Sequence, residues 1–144
     1  MTLSDFSKFA NDNPICQLAT MDGDQPRLRT LVMVAADEEG FWFCTLSPKS
    51  VSTQLHRNPK VEVCFFNQAR DPMEWKMMRV TGKIEFVKNE AMFQKAMEQR
   101  AGLSQIVGKP VEPLVEIFRI HSGDAHFWML KDILKEPQLE HVRF

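Results

Sequence analysis

Hydrophobic and polar positions change period several times along the chain, and each change marks the edge of an element. Thr2 or Ser4 caps a first helix carrying Phe6 and Phe9, and Asn13-Pro14 ends it, because the residue before a proline is driven out of the helical region. Residues 15–21 read as a strand, Asp22-Gly-Asp-Gln25 as a turn, and residues 26–36 as a second strand, which together predict a hairpin. In that second strand, alternation sets Arg27, Arg29, Leu31 and Met33 on one face and Leu28, Thr30, Val32 and Val34 on the other. Both faces are largely apolar, which predicts a central strand.

After a turn at residues 37–40, residues 41–46 form a third strand too short for a helix. Val51 and Leu55 then recur at i, i+4 and predict a short amphipathic helix closed by Asn58-Pro59. Ser47 is the expected N-cap, with Pro48 at the first helical position, where a missing N–H costs nothing. A fourth strand covers residues 60–67. A loop at 68–72 leads into a long β run over 73–87, with Gly82 at an expected bulge or bend. Asn89 caps a helix through Arg100 whose Met92, Phe93, Ala96 and Met97 share a face, a stripe that reads as packing. Residues 102–113 read as an irregular connection, and residues 114–120 and 125–130 as a final hairpin about Ser122-Gly-Asp124. A charged tail follows from Lys131 to Phe144. Strands outnumber helices and most are joined by short turns, so the expected fold is mainly β: an antiparallel barrel with peripheral helices, in one domain over 1–144.

The strand-turn-helix at 41–57 gathers hydrogen-bond donors. A helix start carries unsatisfied N–H groups and partial positive charge, and Thr45, Ser47, Lys49 and Ser50 surround this one, making an anion site of phosphate size; ordinary capping by Ser-Pro explains the same residues without a ligand. Arginine cannot shed its charge, so arginines in a buried strand call for an anionic partner. Arg27 lies near the solvated start, within reach of Asp22 or Asp24, which leaves Arg29 as the better site candidate.

Composition narrows the partners. A net charge of −1 gives no basic excess for nucleic acid or an anionic membrane, and no segment approaches the ~20 apolar residues of a membrane helix. Cys16, Cys44 and Cys64 are odd in number, far apart and set in apolar runs, as buried thiols of a reducing compartment would be. With no apolar leader at the N-terminus, a cytoplasmic protein is expected. The closest-spaced histidine pair, His121 and His126, falls in strand-like sequence, and no metal site is expected from it. The 11 Phe, 9 Met and 3 Trp exceed what one small barrel needs inside, which points to a homodimer, or else to a densely filled monomer core.

Pro26-Arg-Leu-Arg-Thr-Leu31, Phe41-Trp-Phe-Cys-Thr-Leu-Ser-Pro-Lys-Ser50, Asn58-Pro-Lys-Val61 and Ala125-His-Phe-Trp128, in this order and spacing, resemble the pyridoxamine 5′-phosphate oxidase-related family of flavin-binding split barrels. The resemblance implies an antiparallel, Greek-key-like split barrel that forms a homodimer with FMN in a groove between the subunits. Arg29, Thr30 and Leu31 match the strand that lines the flavin. Thr45, Ser47 and Lys49 match the phosphate-binding turn, with Ser50 adjacent, and Trp128 matches an aromatic that reaches the flavin from the other subunit. The chain departs from the oxidase itself at Pro48, where the oxidase has a second basic residue, at Val34, where it has a substrate-contacting lysine, and at Met77, where it has a flavin-contacting glutamine. Its C-terminal basic substrate motif has no counterpart in Lys131-Asp-Ile-Leu-Lys135. The expectation is therefore an FMN-dependent oxidoreductase acting on a small planar molecule. A non-catalytic flavin-binding or flavin-storage protein, or the same fold holding the deazaflavin F420 or haem, is the alternative.

Overall fold

A computed structural model describes all residues, Met1–Phe144. Helix α1 (Leu3–Asp12) begins at Thr2, whose backbone N–H donates to the Asp5 carboxylate at 2.7 Å. Strands β1 (Ile15–Asp22) and β2 (Gln25–Val32) form the expected hairpin. The predicted strand over 26–36 breaks at Met33-Val34, because the backbone changes partners there. The Met33 N–H donates to the Pro14 carbonyl and the Val34 N–H to that of Trp42, and the chain continues as β3 (Ala35–Asp37). Strand β4 (Gly40–Leu46), helix α2 (Ser50–Arg57) and strand β5 (Lys60–Phe66) follow. Strand β6 (Lys76–Phe86) shifts register between Gly82 and Ile84, the bulge expected at that glycine. Asn89 caps helix α3 (Glu90–Gln99) by accepting from the Met92 N–H, and a short helix α4 (Leu103–Val107) lies in the stretch expected to be irregular.

The final hairpin is instead one 15-residue strand, β7 (Val115–Met129), and the tail returns as β8 (Val142–Arg143) alongside it. All pairings are antiparallel, and the strand order is β2-β1-β5-β6-β7-β4-β3, with β8 on β7. This is a mainly β split barrel with peripheral helices, and its sheet curls without closing. β2 is consequently an edge strand rather than a central one. Its outward residues Leu28 and Val32 are 70% and 44% exposed, and the apolar character of that face has no partner within the chain.

Phe6, Leu18, Phe41, Phe43, Phe65, Met78, Phe118 and Ile120 fill the interior of the curled sheet. A smaller cluster of Val34, Trp42, Ala96 and Ile117 holds α3 against the other side of β4 and β7. Helix α2 covers one end of the main core with Val51 and Leu55, which fixes where its N-terminus points. No helix is long and apolar enough to cross a membrane.

Candidate functional site

Helix α2 is held from both sides by polar contacts, and the residues that hold it define the site. On one side, Arg29 projects from the core face of β2, opposite Leu18. Its guanidinium donates to the Leu18 carbonyl at 3.1 Å, to Thr20 Oγ1 at 2.8 Å and to Gln54 Oε1 of α2 at 2.6 Å. Thr20 and Gln54 are buried and themselves bonded at 2.7 Å. Every oxygen that receives Arg29 is neutral, so its charge is uncompensated within the chain, and burial lowers its pKa. Arg27 instead pairs with Asp22 at 3.3 Å, as its position near the solvated strand start predicts.

On the other side, Glu116 of β7 stands opposite Thr45 of β4. Its carboxylate accepts from the Ser52 hydroxyl and lies 2.7 Å from His56 Nε2, and the His56 ring stacks on Phe86 at 3.9 Å. Two residues of α2 about one turn apart, Ser52 and His56, are thus tied to β7 by a single carboxylate. Sequence reasoning found neither Gln54 nor Glu116, because both act across long separations that no local spacing reports.

The start of α2 differs from expectation. Leu46 to Lys49 form a turn closed by the Lys49 N–H donating to the Leu46 carbonyl at 2.9 Å, and the N-cap residue is Lys49, not Ser47. Ser47 and Pro48 belong to the turn, since the Ser47 N–H is still engaged with the Leu114 carbonyl at 2.8 Å and extends the β4 ladder. No side chain caps the helix. Ser47, Lys49 and Ser50 are exposed around this uncapped start, so their hydroxyls and ammonium remain available to a ligand.

Two buried side-chain polar atoms in the chain lack a hydrogen-bond partner, Thr45 Oγ1 and Trp128 Nε1. Both belong to residues singled out from the sequence. A buried donor without an acceptor costs about 1–3 kcal/mol, so such atoms mark places where something else completes the bond. The two are not together: Thr45 pairs with Glu116 near the start of β7, and Trp128 pairs with Met77 near its end, roughly 35–40 Å further along the strand. Arg29, Thr45, Ser47, Lys49 and Ser50 are assembled about α2, and Leu31 packs against the core beside them. Thr30 and Trp128 face outward from the sheet.

Residues 4–129 match the family model described as Pyridoxamine 5'-phosphate oxidase. A pyridoxine/pyridoxamine 5'-phosphate oxidase of Pseudomonas putida is 35% identical over 71 residues, covering 49% of this chain and 31% of that protein. The chain therefore matches less than a third of that enzyme's length. Among solved structures, a NimC/NimA family protein from Clostridium acetobutylicum superposes with a TM-score of 0.75 at 21% identity, covering 99% of this chain and 92% of the other. The haem storage protein HutZ from Vibrio cholerae superposes with a TM-score of 0.65 at 15% identity, covering 90% and 95%. At these identities the structural likeness speaks to the fold alone.

Proposed function

Since the chain belongs to the pyridoxamine 5′-phosphate oxidase family, we propose that it is an FMN-binding flavoprotein, active as a homodimer with FMN at the subunit junction, and an oxidoreductase for a small planar molecule. The observation that carries this reading is the pair of orphaned buried donors, Thr45 Oγ1 on β4 beside the start of β7 and Trp128 Nε1 near the end of β7. A ligand lying between two copies of the chain would meet the α2 end of one and the Trp128 end of the other.

The donor set fits the phosphate of FMN. The uncapped start of α2 offers backbone N–H groups and partial positive charge; Thr45, Ser47 and Ser50 offer hydroxyls, and Lys49 an ammonium. Arg29 adds a charge that no carboxylate of the chain neutralises, and Gln54 links its position to that of α2. Glu116 holds α2 to β7, which keeps the donors oriented before a ligand arrives. Bound flavin would supply the redox chemistry, accepting reducing equivalents from NADH or NADPH, while the protein places it. Thr30 and Leu31 would line the flavin and Trp128 of the second subunit would cover it.

The outward face of the hairpin supports the dimer: Ile15, Leu28 and Val32 are 46%, 70% and 44% exposed on adjacent strands. The substrate is not expected to be pyridoxamine phosphate. Val34, where the oxidase has a lysine, is buried under α3, and Met77, where it has a glutamine, lies beside Trp128.

The test is the absorption spectrum of freshly purified protein, followed by competition among flavins. A flavin spectrum, with FMN binding more tightly than riboflavin or FAD, is expected because the site is built round a terminal phosphate. A haem spectrum, or equal affinity for riboflavin, would contradict it. Bound flavin that NADH and NADPH both fail to reduce would make the protein a flavin carrier.

A further inference from the structure

A second cluster of chemistry-bearing side chains lies away from α2, where the chain ends. Asp124 and His126 are two residues apart on β7 and project from the same side as Trp128. The C-terminal segment is brought back to them. Gly123 and Phe144 exchange backbone hydrogen bonds at 3.0 and 3.1 Å, and Val142 and Arg143 pair with Ala125 and Asp124, which sets His141 down beside β7. His141 Nδ1 lies 2.5 Å from Asp124 Oδ1, and its ring stacks on that of His126 at 4.2 Å and 21°. One ligand-capable atom from each of the three residues lies within 4.8 Å of the other two.

We infer that Asp124, His126 and His141 form a binding site for a first-row divalent transition-metal ion, which would fasten the C-terminal segment to the sheet. Two imidazoles and one carboxylate are a donor set these ions favour, with positions left open for water. Bonds of ~2.0–2.1 Å place tetrahedral donors roughly 3.4 Å apart, so the three must close by on the order of 1 Å. His141 can make that movement, because its side chain is 45% exposed. His126 is the fixed member, held on the long strand β7. The neighbouring charge does not oppose a cation strongly: Arg79, across from His126, is paired with Glu136 at 3.2 Å. The inference is independent of the flavin reading. His121, the histidine nearer in sequence, is turned to the Glu39 carbonyl at 3.0 Å and takes no part.

The experiment is a Co²⁺ titration of the untagged full chain, followed by visible ligand-field absorption and by thermal unfolding. One ion per chain is expected, without thiolate charge-transfer bands, since Cys16, Cys44 and Cys64 lie outside the cluster. Asp124→Asn, His126→Ala and His141→Ala should each weaken binding by about 100-fold or more, the upper end of what loss of a merely supporting residue costs. His121→Ala should leave it unchanged. Saturating Co²⁺ should raise the Tm of the native protein and not that of His141→Ala, a variant on an exposed segment that keeps the test valid if His126→Ala does not fold. Absence of saturable binding, or binding that survives His141→Ala in folded protein, would overturn the site and leave the cluster as a hydrogen-bonded tie.

Discussion

Lys49 and Arg29 both bring positive charge to α2, but they do so in different ways. Lys49 is exposed at the helix N-cap, so Lys49→Ala removes one charge-assisted donor and leaves the fold alone. FMN binding should weaken by ~1.5–3 kcal/mol, the range for hydrogen bonds to charged groups, with unchanged thermal stability. An unaltered Kd would put Lys49 in solvent. Arg29 also secures Thr20, Gln54 and the Leu18 carbonyl, so Arg29→Ala should weaken FMN binding more than Arg27→Ala and in addition lower stability by about 1–3 kcal/mol, because it leaves buried acceptors unpaired. Equal effects of the two substitutions, measured by flavin fluorescence and urea unfolding, would contradict this division. Cys16 gives a residue-scale control on the core: burial pushes its thiol to about 12, so it should resist alkylation at neutral pH until the protein unfolds, and rapid labelling of native protein would contradict the packing around it.

Strand β7 organises the fold at the scale of elements, since it pairs with β6, β4 and β8. Its continuity depends on Gly123, where an added Cβ would sit 2.0 Å from the Thr81 carbonyl oxygen, with Gly82 directly opposite. Gly123→Ala should cost about 1–3 kcal/mol or more by overpacking, read as a lower urea midpoint, and a neutral result would contradict the close approach of β6 and β7. The same glycine explains where the sequence misleads. Ser122-Gly-Asp124 has the composition of a turn, but here the glycine permits two backbones to approach, which local composition does not distinguish from a reversal. Helix α1, the first hairpin, the bulge at Gly82 and the Asn89 cap were legible because each is encoded by neighbours in sequence. Ser47 reads as a cap because Ser-Pro commonly starts helices, yet its N–H is engaged by Leu114, far along the chain. The roles of Gln54, Glu116 and His141 are likewise set only by the sheet that brings them to their partners.

At the scale of the whole molecule, the edge position of β2 leaves apolar side chains outward, and the two orphaned donors lie far apart, Thr45 on β4 beside the start of β7 and Trp128 near the end of β7. The proposed homodimer that shares each flavin would account for both, covering the face and pairing the α2 end of one subunit with the Trp128 end of the other. Sedimentation at micromolar concentration should give a dimer. The most direct test of the shared site mixes a Lys49→Ala chain with a Trp128→Ala chain and titrates the isolated heterodimer with FMN. If each site draws its phosphate turn from one subunit and its tryptophan from the other, the heterodimer carries one site with both residues native and one with both lost, so half of the sites should bind with native affinity. Two equally weakened sites, each like those of the single-variant homodimers, would contradict the account.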